Sequence, residues 1–89
     1  MSITIRLPPT LADRIGTARI ELATASLGEC LLALTAQFPD ISRIIWDASG
    51  ELNTVVLLFR NNKLLRRARL DMALTAGDEI DIVPSIEAG

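Results

Sequence analysis

The chain has 89 residues, 49% of them hydrophobic and 22% charged, which fits one globular domain and excludes a disordered polymer. Its net charge of −2 argues against nucleic acid as a partner, because phosphate affinity rests on an excess of Lys and Arg. There is no His, no Tyr and one Cys, so a Ser-His-Asp or Cys-His arrangement, a His/Cys metal cluster and an internal disulfide are all excluded.

No apolar run is long enough to cross a bilayer. The opening MSITIRLPP lacks the basic start and long apolar centre of a signal peptide, so the expectation is a cytoplasmic protein with no membrane partner. Cys30 lies in GECLLAL, an apolar stretch with no His or Lys nearby, and reads as a small buried thiol.

In chain order, Ile3, Ile5 and Leu7 alternate with Thr4 and Arg6, the period of a half-buried strand, and Pro8-Pro9 ends it. TLADRIG reads as a loop or a single turn closed by Gly16. Ala18, Ile20 and Leu22 then alternate as a second strand, antiparallel to the first. Ser26 with Glu29 three residues on makes a capping box, and Leu27, Leu31, Leu34 and Phe38 form one helical stripe that Pro39 stops.

Ile41, Ile44 and Ile45 suggest a short helix, Trp46 a lid on the core edge, and DASG a turn. Val55 to Phe59 are five apolar residues in a row, which predicts a central strand buried on both faces. Asn61-Asn62 is a turn signal, because Asn tolerates positive φ, and Leu64-Leu65 return as a short strand. Gly77-Asp78 makes another turn, and Ile80 and Ile82 alternate with Asp81 and Val83 in a last strand before Pro84. The elements predict an α+β fold, a mixed sheet with one main helix packed on one face. Residues 1–84 are expected to form the domain and 85–89 a flexible C-terminal tail.

Two stretches carry a family resemblance. VVLLFRNN resembles a central strand followed by an asparagine turn, and LTAGDEIDIVPSI, with Gly89 at the end, resembles a Leu-x-x-Gly-Asp-Glu strand leading to a terminal glycine. Both are features of the sulfur-carrier family of β-grasp, ubiquitin-like proteins, which includes the small subunit of molybdopterin synthase and the thiamin-pathway sulfur carrier. The length suits the molybdopterin branch better. The family ends in Gly-Gly, whereas this chain ends Ala88-Gly89.

The resemblance implies that the chain holds no cofactor of its own. A ubiquitin-activating-type enzyme would use ATP to adenylate the Gly89 carboxylate. A sulfur donor would convert it to a thiocarboxylate, and a sulfur-accepting synthase subunit would receive the sulfur. The chain would then be the small subunit of a sulfur-transferring enzyme, with no catalytic residue of its own. Ile86 and Ala88 are expected to touch the partner.

The basic run Lys63, Arg66, Arg67 and Arg69 has two readings: a solvated face, or a docking patch for an acidic partner in which Arg66, Arg67 and Arg69 take part. A different class of function also remains open, a β-grasp interaction module that binds through its sheet face without thiocarboxylate chemistry.

Overall fold

The computed structural model describes residues 2–65 and 70–84. The expected tail, 85–89, lies outside them. The order of elements is β1 (Ile3–Arg6), α1 (Pro9–Ile15), β2 (Arg19–Leu22), α2 (Leu27–Gln37), a 3₁₀ turn (Pro39–Ile41), α3 (Ser42–Ile45), β3 (Val56–Arg60), β4 (Lys63–Leu64) and β5 (Glu79–Pro84). The strands form one sheet in the order β2-β1-β5-β3-β4. β1 pairs antiparallel with β2 and parallel with β5, and β5 pairs antiparallel with β3, so the sheet is mixed as expected.

Four of the five strands, β1, β2, β3 and β5, contribute buried residues to the core that holds α2. Ile3, Ile5, Ile20, Val56, Leu58, Ile80 and Ile82 pack against Leu27, Cys30, Leu31 and Leu34 of the helix, with Leu11, Ile41 and Ile45 closing the ends of the core. The helix stripe and the strand periods were thus legible. Asn61 and Asn62 both take positive φ, 51° and 71°, as the turn required. Trp46 covers the core edge and donates its indole N–H to Thr35 Oγ1 at 3.1 Å.

Two expectations fail. TLADRIG is no loop, because residues Pro9–Ile15 form a helix of nearly two turns. Pro9 occupies the first turn, where a missing N–H costs nothing, and Gly16 at φ 83° caps the end by donating to the Ala12 carbonyl. The run Val55 to Phe59 is not buried on both faces. Val56 and Leu58 are buried, but Leu57 is 37% exposed on the open side, because no helix among the described residues covers that side of the sheet. The central strand is β5, not β3.

The start of α2 is completed by a distant segment. Ser26 Oγ accepts from the Glu29 N–H at 3.2 Å, and Glu29 Oε1 accepts from the Ala25 N–H at 3.1 Å. The Leu27 and Gly28 N–H groups donate to the carbonyls of Met72 and Leu70 at 2.9 and 2.8 Å. Backbone from 70–74 thus satisfies helix donors that would otherwise be orphaned. Gly28 permits this approach, since a Cβ there would lie 2.8 Å from the Leu70 carbonyl oxygen.

Candidate functional site

The expected site is the chain beyond Pro84, and what the fold supplies is the frame that presents it. Gly89, Ile86 and Ala88 lie outside the described residues, as do Arg66, Arg67 and Arg69. The described site is therefore the strand that precedes the tail and the surface around it.

β5 begins in a dense polar knot. Asp78, 7% exposed, accepts from the Thr75 N–H at 2.8 Å, from Asn61 Nδ2 at 3.0 Å and from Arg60 Nε at 3.0 Å. Arg60 adds a second contact at 2.7 Å. Asn61 Oδ1 in turn accepts from the Glu79 N–H at 2.9 Å, and the Asp78 carbonyl accepts from the Thr4 N–H at 3.0 Å. The Thr75 N–H, then Asn61 and Arg60, hold the Asp78 carboxyl below its ordinary range despite the opposing effect of burial. The two stretches that carry the family resemblance therefore interlock: the asparagine turn after β3 is bonded to the Gly-Asp-Glu turn before β5.

β5 ends differently. Its pairing with β1 stops at Asp81, so Val83 and Pro84 are held by β3 alone, opposite Leu57 and Val56. The described residues end there. A groove of about 210 Å³ lined by Arg6, Leu7, Pro8, Asp81, Ile82 and Val83 runs beside this end of β5.

The open face of the sheet is divided in two. On the β3–β4 side, Leu57 faces Val83 and Phe59 faces Leu64, with Leu57 and Leu64 37% and 42% exposed. An apolar strip thus borders the end of β5, the kind of surface that marks an interaction site. On the β1–β2 side the same face is ionic. Arg6 grips both oxygens of Asp81 at 2.6 and 2.9 Å, lies 3.6 Å from Glu79, and Glu79 also meets Arg19 at 3.7 Å. The bond and charge of Asp81 hold the Arg6 guanidinium more firmly protonated than usual.

Cys30 is fully buried in α2, and burial pushes its thiol upward, so it is no reactive nucleophile. No helix among the described residues is long and apolar enough to cross a membrane.

A mixed sheet grasping one long helix, with the last described strand at its centre, is the β-grasp architecture of ubiquitin-like proteins. The chain belongs to the ThiS family, which it matches over residues 5–89. An Archaeoglobus fulgidus protein provisionally named a sulfur carrier is 30% identical over 92 residues, with both chains covered completely. Among solved structures, SAMP1 from Haloferax volcanii superposes with a TM-score of 0.86 at 27% identity over 100% of both chains. CysO from Mycobacterium tuberculosis gives a TM-score of 0.79 at 26% identity, covering 94% of this chain and 99% of that one. The protein is therefore a member of the β-grasp family of sulfur carriers and ubiquitin-like modifiers.

Sequence reasoning located the motifs but missed what they do. Asp78 was read as a turn residue, although it is the buried acceptor at the centre of the knot. Its partners Arg60 and Asn61 lie 18 and 17 residues away in sequence, and no local period reveals such a cluster. The apolar strip was missed because five apolar residues in a row gave no sign of which face was covered.

Proposed function

We propose that this protein carries sulfur on its last residue. A ubiquitin-activating-type enzyme uses ATP to adenylate the Gly89 carboxylate, with pyrophosphate as the other product. Hydrosulfide then attacks the acyl carbon, the C–S bond forms, the bond to the phosphate oxygen breaks and AMP leaves, giving a thiocarboxylate whose sulfur a synthase subunit accepts. The observation that carries this reading is the family match, which runs through to residue 89 and so includes the terminal glycine. The frame supports it: β5 is anchored at its start by Asp78, and residues 85–89 follow directly on its last residue, Pro84. A carrier of this kind needs no catalytic group and no cofactor of its own.

Around the end of β5, the strip of Leu57, Phe59, Leu64 and Val83 supplies apolar area for docking. Ile86 and Ala88 are the tail residues that would enter the partner. Arg66, Arg67 and Arg69 would steer an acidic partner surface. The chain length favours molybdopterin synthesis as the destination of the sulfur, in the cytoplasm. Intact mass after incubation with ATP, a sulfide source and an activating enzyme tests the reading. One oxygen replaced by sulfur at Gly89 is the expected product; a plain carboxylate under conditions that convert a related carrier overturns it.

Ala88 and the apolar strip favour a second reading, an interaction module that docks through its sheet and never activates its end. Tight partner binding by a chain lacking Gly89, with no ATP-dependent change in mass, would be its signature.

A further inference from the structure

The described arginines fall into two groups. Arg6, Arg19 and Arg60 lie on the sheet, and each is paired with a carboxylate of Asp78, Glu79 or Asp81. Arg14 and Arg43 lie on helices, and no ion pair or hydrogen bond among the described residues holds the guanidinium of either. Both are exposed, and both line one groove of about 570 Å³, together with Pro39, Asp40 and Ile44. The groove takes no residue from the sheet, so it is separate from the surface around β5.

Its walls are fixed although its charges are unpaired. Arg14 is in the last turn of α1, which the buried Leu11 ties to the core and Gly16 caps. Arg43 is in α3, between the fully buried Ile41 and Ile45, and Asp40 is in the 3₁₀ turn that opens at Pro39. The fold thus holds two guanidiniums and one carboxylate around a common space, and Asp40 forms no ion pair with either cation.

That set of groups selects a ligand. A guanidinium is a planar fork that matches carboxylate or phosphate oxygens two at a time. One fork fills a carboxylate. A phosphate monoester has three terminal oxygens and a charge of about −2 at neutral pH, enough to engage both forks at once. Asp40 would repel a bare phosphate, and an ionised carboxylate can only accept, so it favours a ligand that brings an O–H or N–H donor along with its phosphate. The volume of the groove lies in the range of small-molecule sites, about 300–1,000 Å³.

We propose that the groove between α1 and α3 binds a phosphorylated, hydroxyl-bearing small molecule, a sugar phosphate or a nucleotide. Its phosphate lies across Arg14 and Arg43, and a hydroxyl donates to Asp40. No bond is made or broken, and the inference stands whether or not Gly89 is activated.

Backbone amide and arginine Nε–H shifts of the full chain are followed by NMR at constant ionic strength, with ribose 5-phosphate, AMP and inorganic phosphate as probes. Ribose 5-phosphate or AMP should give saturable shifts centred on Arg14, Asp40 and Arg43. Arg14→Gln and Arg43→Gln should each weaken that binding about tenfold, the loss of one charge-assisted hydrogen bond, with the thermal midpoint unchanged because both side chains are exposed. Asp40→Ala should act with opposite sign on two probes, weakening the organic phosphate and tightening inorganic phosphate. AMP binding more tightly than ribose 5-phosphate assigns a nucleotide; the reverse, or equality, assigns a sugar phosphate. Three results overturn the proposal: no saturable shift with either organic phosphate, binding that survives in both arginine variants, or inorganic phosphate bound as tightly as the organic probes. A tetraglutamate peptide bound as tightly as they are also overturns it, and makes the groove a dock for an acidic partner.

Discussion

The two ends of β5 are built on opposite principles. At its start, Asp78 and Glu79 are bonded to Arg60, Asn61, Thr75 and Thr4, drawn from three other parts of the chain. At its finish, Val83 and Pro84 have one neighbouring strand and lie beside exposed apolar side chains. On the carrier reading proposed above, a handle has to be fixed at its base, and the start of β5 meets that demand. The Gly-Asp-Glu and asparagine-turn residues of the family resemblance lie at the fixed end, so they are conformational in role, while the chemistry proposed above belongs to residues beyond Pro84.

The sharpest break in this comparison comes from deleting Gly89. Activation should be abolished, with the thermal midpoint unchanged, because residue 89 lies beyond the last strand. Transfer that survives the deletion ends the carrier reading; a lowered midpoint means the tail belongs to the fold.

Next in size is Ile82→Ala, between the two ends. Ile82 is fully buried against α2, and its truncation should cost about 2–5 kcal/mol in denaturant unfolding. Because both ends hang from this strand, activity should fall only where the folded fraction falls.

At the fixed end, Asp78→Ala removes the acceptor of three donors and leaves them unsatisfied, at a cost of about 2–3 kcal/mol. Its carboxyl titrates below the ordinary value in the folded state, so it contributes stability above the unfolded pKa of about 3.9 that is lost as pH falls through the lower folded value. Stability of the wild type should therefore decline more steeply than that of Asp78→Asn below about pH 4. Parallel curves would show that the knot is not ionic in character.

At the free end, Ala88→Gly tests the departure from Gly-Gly. If the activating channel takes this residue at positive φ, alanine costs about 1–2 kcal/mol, roughly 5- to 30-fold in rate. Glycine returns about 0.4–1 kcal/mol of that in ordering cost. Single-turnover thiocarboxylate formation should accordingly be faster with glycine, and an equal or slower rate would show a channel shaped for alanine.

The smallest effect is expected from reversing Arg66, Arg67 and Arg69. Association with an acidic partner should slow and lose part of its salt dependence, with dissociation little changed. Identical association rates would make these residues a solvated face.

Much of this was readable in one dimension. Alternation marked β1, β2 and β5, the capping box and stripe marked α2, and the asparagines marked the hairpin, because each depends on neighbours a few residues apart. Pro9 and Gly16 also held the signature of α1, which was overlooked for want of a long apolar stripe: Leu11 is its single buried residue. The terminal glycine and the Gly-Asp-Glu stretch pointed to the family. By itself, then, the sequence determined the elements, the fold class and the residue expected to react.

Only the tertiary structure decided how those pieces are used. It joined Asp78 to Arg60 and Asn61, closed the start of α2 with the carbonyls of Leu70 and Met72, left one face of β3 uncovered, and gathered Arg14, Asp40 and Arg43 around one groove. The physical reason is the range of the interactions. Capping, periodicity and turn chemistry act over three or four residues and leave a local trace. Buried polar satisfaction and the choice of which face meets solvent depend on segments far apart in sequence, which meet only when the sheet has formed.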